Sequence, residues 1–183
     1  MSEFHIKNAK TAQMVGEFVL RDDETKNFIK CKLNDKIEKE ILTNNNGRVY
    51  LFTINGKIAK IGKSASKGGI KATMNFYENS MSGAPGPNRF IMQLLIKDEL
   101  EKGNKVGIYL IQVPETYANI PSLSTIINKL VPIDPMVCED DCKREYKNKI
   151  GRYPIWNFQE NHKTFPTRYE ILYAEYRIKK TKI

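Results

Sequence analysis

Tyr50 and Lys60 are the two side chains whose type and spacing first suggest chemistry. They flank an Asn-Gly pair within the stretch RVYLFTINGKIAKIGKS, residues 48–64. Asn-Gly between two β-compatible runs predicts a tight β-hairpin, because a type I′ turn requires positive φ at both central residues. A hairpin would bring the phenol and the ammonium to one patch, which favours a catalytic interpretation. The alternative is a half-buried aromatic ring and an exposed edge charge.

Length and composition predict one globular domain, residues 1–183, with 40% hydrophobic and 28% charged residues. The net charge of +9 favours a polyanionic partner. Because no amphipathic basic helix or lipidation signal is evident, nucleic acid is favoured over membrane. No apolar run approaches the ~20 residues that cross a bilayer, and the N-terminus lacks a signal-peptide pattern. We expect a cytoplasmic protein with no membrane partner.

The cysteine and histidine residues give no sign of a metal or disulfide framework. Cys31, Cys138 and Cys142 lack paired CxxC spacing and are interpreted as ordinary thiols. His5 and His162 are isolated, which argues against histidine-based catalysis.

The stretch Gly62-Lys63-Ser64 resembles the end of a phosphate-binding loop. The first glycine of that motif should lie five positions before Gly62, where the chain has Lys57. The residues between them also have a strand pattern, so we exclude a nucleoside triphosphate site.

Apolar spacing predicts the elements that must position these residues. It favours helices over 70–81, about 88–102, 122–130 and from near Cys138 to 150, with a buried strand over 105–113. Residues 167–178 fit either a strand or a helix. Glu145 would lie in the middle of the last predicted helix. Such a glutamate usually belongs to a solvated helix face, but together with the hairpin it becomes a candidate site residue.

These features together resemble the GIY-YIG nuclease module over roughly residues 47–160. The resemblance is carried by Tyr50 in VYLF, Lys60-Ile61-Gly62, a following helix and a third strand, then Glu145 on a helix with Pro154 and Asn157 behind it. The literal Gly107-Ile108-Tyr109 falls where that family has its third strand. The resemblance implies an α/β (α+β) fold: a small mixed sheet built on the hairpin plus a third strand, flanked by helices. Residues 1–46 and 161–183 would be terminal extensions.

Two positions depart from the family pattern. The second motif tyrosine is Lys60, as in some restriction endonucleases of this family. The family arginine is missing from its expected place, and either Lys71 or Arg89 would replace it. Arg89 offers a planar fork for two phosphate oxygens, whereas Lys71 would act as a point charge.

The resemblance implies a role for each site residue. Tyr50 would accept the proton of the attacking water, with Lys60 lowering the pKa of its phenol. Glu145 would bind one Mg²⁺ (or Mn²⁺), and Lys71 or Arg89 would neutralise the phosphate. The expected DNA-binding residues are Lys63, Ser64, Ser66, Lys67 and Asn157.

The function implied by the resemblance is that of a divalent-metal-dependent endonuclease acting on double-stranded DNA. A type II restriction enzyme is expected first, acting as a homodimer and accompanied by a DNA methyltransferase. Phage, mobile-element or repair nucleases are alternatives. A catalytically inactive GIY-YIG-like DNA-binding module is another, since the family arginine is missing. The last alternative is a structural or protein-binding domain with incidental charge.

Overall fold

The structure, a computed structural model, describes residues 3–23, 26–82 and 84–181. The other positions, which include Gly83 of the predicted loop and the chain termini, lie outside the described residues. The strands are β1 (Gln13–Leu20), β2 (Ile29–Leu33), β3 (Arg48–Ile54), β4 (Lys57–Ser64), β5 (Val106–Gln112), β6 (Glu115–Pro121) and β7 (Ile126–Pro132). The helices are α1 (Lys39–Thr43), α2 (Gly69–Glu78), α3 (Pro87–Glu101), α4 (Pro135–Ile150) and α5 (Thr167–Thr181).

Five strands form one sheet in the order β2-β1-β5-β3-β4, and every pairing between them is antiparallel. The predicted α+β class is confirmed, with an antiparallel sheet in place of the expected mixed one. The strands β1 and β2 belong to the same sheet, so residues 13–33, which the resemblance assigned to a terminal extension, complete the sheet next to β5.

The predicted hairpin is confirmed as β3 and β4. Asn55 and Gly56 have φ of 49° and 80°, as a type I′ turn requires. Phe52 pairs with Lys60 and Tyr50 pairs with Gly62. Paired residues share a face of an antiparallel sheet, as do residues two apart on one strand. Tyr50 and Lys60 therefore lie on one face.

Alternate residues of β3 enter two separate apolar clusters. Tyr50 and Phe52 pack with residues of α2 and α3, such as Met74 and Ile91. Val49 and Leu51 pack on the other side with Tyr146 of α4. This two-sided burial explains why β3 is almost continuously apolar.

The edge strand β4 is partly covered by the loop after α4. The Trp156 backbone N–H donates to the Ala59 carbonyl at 2.8 Å. The Asn157 side chain accepts from the Ile61 N–H and donates to the Ile61 carbonyl, both at 2.9 Å. An amide side chain thus supplies the ladder bonds that an edge strand lacks, and it fixes this loop beside Lys60.

The predicted helix over 122–130 is wrong, because residues 115–132 form the hairpin β6–β7, a separate two-stranded sheet. The hairpin contains no buried residue, and Tyr117 and Ile126 are each 72% exposed. It begins and ends at one place, where the Ile133 N–H donates to the Pro114 carbonyl. Residues 167–178, for which the pattern was ambiguous, are helical.

The three cysteines are free, as expected. Across the described residues, no helix is both long enough and apolar enough to span a membrane.

Candidate active site

A pocket of about 290 Å³ opens beside β4, where β3, α2, α4 and the loop after α4 meet. Its polar side chains include Tyr50 and Lys60 from the hairpin, Tyr77 from α2, and Glu139 and Lys143 from α4. Asn157 and Glu160 line it from the loop. Tyr50 and Lys60 therefore share one pocket.

Tyr50 and Tyr77 form a buried hydroxyl pair at this pocket. Their hydroxyl oxygens lie 2.5 Å apart, and their rings meet edge to face. Gly62 makes this position of Tyr50 possible, because a Cβ at residue 62 would lie 2.5 Å from the Tyr50 Oη. The close approach explains why glycine stands opposite Tyr50 in the ladder.

Burial raises the pKa of Tyr50 well above its usual value, and the neighbouring Tyr77 and Glu139 add to the rise. Arg89 is the cation that opposes it. Burial thus outweighs the nearby positive charge in the free protein, and a lowering of the Tyr50 pKa by Lys60 stays a prediction. Tyr50 carries its proton at neutral pH.

Lys60 has the opposite shift. Its surroundings together lower its pKa from 10.5 to about 8: burial is the largest cause and Lys143 acts in the same direction, while Glu160 and Glu139 oppose them. The Lys60 ammonium is thus charged at pH 7 but close to losing its proton. A group with a pKa this near neutrality is suited to proton transfer or to charge that depends on pH.

Glu139 shares the pocket with Tyr50 and Lys60, as Glu160 does, whereas Glu145 lies elsewhere. Glu139 is buried in the pocket. The side chain of Glu145 is 61% exposed, pairs with Lys149 and lines a different cavity beside Phe4. Residues six apart on a helix point about 120° away from each other, so one helix cannot bring both glutamates to one pocket. The structure thus separates Glu145 from the other candidate residues.

Lys143 connects Glu139 to the loop. Its Nζ lies 2.9 Å from Glu139 Oε1 and 2.5 Å from Glu160 Oε1. Glu160 also accepts a hydrogen bond from Asn157 Nδ2 at 3.1 Å. Lys143 and Asn157 together hold the pKa of Glu160 below its ordinary value despite partial burial.

Of the two cations considered for the missing arginine, only Arg89 lies near the site. It lies in the first turn of α3, and its guanidinium carbon is 4.4 Å from the Phe76 ring centroid. Its positive charge acts to lower the pKa of both Tyr50 and Tyr77, against the larger effect of burial. Lys71 is exposed and lines a separate cavity with Cys31 and Glu78. Lys71 is therefore not brought to the site.

The expected DNA-binding residues have different surroundings. Lys63 lines the pocket and Lys67 is exposed beyond it. Ser64 and Ser66 hydrogen-bond to each other and to Thr73, and Ser66 accepts from the buried Arg48. These contacts give both serines a role in fixing the loop after β4.

Asn157 is 3% exposed, and its amide is engaged by Ile61 and Glu160. It positions the edge of the site and is not open to DNA.

Sequence reasoning missed four pocket residues, namely Tyr77, Glu139, Lys143 and Glu160. For two of them a signal existed, since Glu139 and Lys143 are four apart on a predicted helix and so share a face. Tyr77 belonged to the apolar stripe of its helix, and nothing in that stripe distinguished its hydroxyl. Glu160 follows Asn157 in an irregular segment without a periodic pattern.

The donor set of this pocket fits a divalent cation that needs few protein ligands. Glu139 offers a carboxylate that already holds a cation, the Lys143 ammonium, and hydroxyl oxygens lie in the same pocket. In the described part of the chain, no group of three or more His, Cys, Asp or Glu side chains could hold a metal. Mg²⁺ suits such a site because it keeps several waters and uses one or two carboxylates.

The elements and pocket define an α+β protein with a five-stranded antiparallel sheet and a polar pocket at its edge strand. Solved structures with this fold include a mutant of bacteriophage T4 EndoII, 19% identical with a TM-score of 0.54, covering 84% of this chain and 99% of that one. The restriction endonuclease HPY188I in complex with product DNA is 19% identical with a TM-score of 0.48, covering 84% of this chain and 86% of that one. No family model matches the sequence, and no curated protein matches it significantly.

Proposed function

We propose that this protein is a divalent-metal-dependent endonuclease that hydrolyses phosphodiester bonds in double-stranded DNA. The observation that carries the proposal is the meeting of Tyr50, Lys60 and Glu139 around one pocket, with Arg89 close enough to act on Tyr50. Phosphodiester hydrolysis needs a proton acceptor for the attacking water and positive charge beside the phosphoryl oxygens, and a phenol, an ammonium, a metal-holding carboxylate and a guanidinium can supply them. The fold, which the chain shares with bacteriophage T4 EndoII, is the frame that holds these groups together.

Glu139 would hold the Mg²⁺ or Mn²⁺ in this proposal, in place of Glu145. The bound ion supplies Lewis-acid stabilisation of the charge that develops on the phosphoryl oxygens. Glu139 has the position for this role because it is buried and faces the hydroxyl pair. The Glu139 carboxylate would be available to the metal ion, because Lys143 can remain paired with Glu160.

Tyr50 would first release its own proton to solvent at the pocket and would then, as a phenolate, accept the proton of the attacking water. Burial makes the phenolate costly, so positive charge must offset that cost. Arg89 acts directly on Tyr50, and Lys60 and Lys143 add two ammonium groups to the same pocket. Arg89 would also pair with the phosphate, where a guanidinium can contact two oxygens at once.

DNA is the expected substrate because the chain carries a net charge of +9, with Lys63 near the end of β4 at the pocket and Lys67 just after the strand. The type II restriction role, the homodimer and the companion methyltransferase stay predictions. A two-fold dimer would place two pockets on the two strands of a duplex.

The test is incubation of the purified protein with supercoiled plasmid and long linear DNA, with Mg²⁺ or with EDTA. Discrete fragments that form only with the metal are expected from a restriction enzyme, and a smear from a degradative or repair nuclease. Intact DNA that is nevertheless bound, with steep salt dependence, would favour an inactive binding module. Absence of both cleavage and salt-sensitive binding would reject the proposal.

A further inference from the structure

Lys143 occupies the space between two carboxylates that come from different elements. Glu139 lies one turn before it on α4, and Glu160 belongs to the loop between α4 and α5. The Lys143 side chain is only 13% exposed, so water screens the two ion pairs weakly. A cation therefore already neutralises the carboxylate that would hold the metal.

The two ends of this bridge are held differently. Glu160 Oε1 lies 2.5 Å from Lys143 Nζ and also accepts from Asn157, which is itself fixed to the Ile61 backbone. Glu160 is thus anchored to β4 without any help from Glu139. Lys143 can keep this partner even when Glu139 is engaged elsewhere.

We propose that Lys143 is a built-in counter-ion that competes with the divalent cation for Glu139 and moves fully to Glu160 when the cation binds. This inference rests on the proposed function, because it takes Glu139 as the metal-holding residue. An ammonium within 2.9 Å of a carboxylate oxygen strongly repels a doubly charged ion at that oxygen. The transfer is feasible because it leaves no buried ammonium unpaired.

The competing explanation is a structural clamp, in which Lys143 only holds Glu139 in position. The two explanations predict opposite effects when the ammonium is removed. A competitor weakens metal binding while it is present, so its loss strengthens binding. A clamp supports metal binding, so its loss weakens binding.

The experiment measures Mn²⁺ binding to the full chain without DNA, from the electron paramagnetic resonance signal of free Mn²⁺. Lys143→Gln should lower the Kd for Mn²⁺ about tenfold. Lys143→Arg, which keeps the charge, should leave the Kd near that of the unmodified protein. Lys147→Gln is the matched control: it removes the same charge one turn along α4, where the ammonium lies 4.9 Å from the Tyr153 ring centroid. An unchanged or higher Kd for Lys143→Gln would overturn the proposal.

A second variant separates direct competition from a general field effect. Glu160→Gln should raise the Kd for Mn²⁺, because Lys143 then has only Glu139 as a carboxylate partner. In the Lys143→Gln background the same change should have a much smaller effect, because the Lys143 ammonium that Glu160 would draw away from Glu139 is then absent. Additive effects of the two substitutions would show that both act only through the overall charge, which contradicts the proposal.

The same titration distinguishes failure of this inference from failure of the proposed function. Glu139→Gln should abolish the Mn²⁺ binding. If Glu139→Gln binds Mn²⁺ as tightly as the unmodified protein, the proposed metal site is wrong, and the inference fails with it. If binding depends on Glu139 but Lys143→Gln does not tighten it, only the inference about Lys143 fails.

Discussion

The hydroxyl oxygens of Tyr50 and Tyr77 lie 2.5 Å apart, although one residue belongs to β3 and the other to α2. One proton of the pair lies between the two oxygens, so a change of charge on one phenol is transmitted to the other. Tyr77 is buried and lines the same pocket as Lys60 and Glu139. The chemistry proposed for Tyr50 therefore depends on Tyr77.

We expect Tyr77→Phe to reduce DNA cleavage about tenfold, because the Tyr50 hydroxyl loses its short hydrogen bond while the ring still packs. Single-turnover cleavage of a plasmid at saturating Mg²⁺ measures the effect. Tyr173→Phe is a suitable control, since its hydroxyl also donates one hydrogen bond, to the Pro85 carbonyl, but lies outside the pocket. Equal rates for the two variants would exclude Tyr77 from the site.

Glu139 and Glu145 provide a matched pair on one helix. Glu139→Gln should lower cleavage by about 10²- to 10³-fold with DNA binding retained, because only the carboxylate charge is lost. Glu145→Gln should cleave at the normal rate, since Glu145 is exposed and paired with Lys149. Gel cleavage and filter-binding assays measure both quantities. The reverse order of effects would restore Glu145 as the metal-holding residue.

Arg89 and Lys71 provide a second pair. Arg89→Gln should lower cleavage by about 10²-fold, because the guanidinium acts on the Tyr50–Tyr77 pair and is available to a phosphate. Lys71→Gln should cleave within about twofold of the normal rate and weaken DNA binding slightly, as expected for one distant surface charge. The rates are compared at several salt concentrations. If only Lys71→Gln greatly lowered the cleavage rate, Lys71 and not Arg89 would be the cation that acts on the phosphate.

We expect the buried Lys60 ammonium to destabilise the folded protein at neutral pH. Its pKa is lowered from 10.5 to about 8, so the unfolded chain binds more protons between these values, and stability rises with pH in that range. Lys60→Met should therefore raise the melting temperature at pH 7, and the gain should shrink as the pH rises from about 8 toward 10.5. It should also abolish cleavage. Lys63→Met serves as the control. If Lys60→Met raised the melting temperature by the same amount at every pH, the lowered pKa of Lys60 would be contradicted.

The hairpin could be predicted from sequence because its signal is local. Asn55 and Gly56 require positive φ whatever surrounds them, and the strands on either side need only a matching apolar pattern. The long helices α2, α3 and α4 were predicted for the same reason, since each has its own apolar stripe.

Residues 122–130 show where local signals fail. Leu123, Ile126, Ile127 and Leu130 have helical spacing, yet Ile126 to Pro132 is a strand. The outcome is decided by a partner, because residues 115–121 supply a matching antiparallel strand. Glu139 was missed as a pocket residue for a related reason. Which side of α4 faces Tyr50 depends on how the helix packs against β4, and no spacing within the helix contains that information.

The hairpin β6–β7 is inserted into the chain at a single point. Pro114 and Ile133 are hydrogen-bonded at its base, and no residue from 115 to 130 is buried. The sheet and the pocket would therefore keep their geometry if this segment were shortened, lengthened or exchanged for another. Its sequence is free to diverge much faster than that of the residues around Tyr50, and this appendage is where homologous proteins should differ most in size.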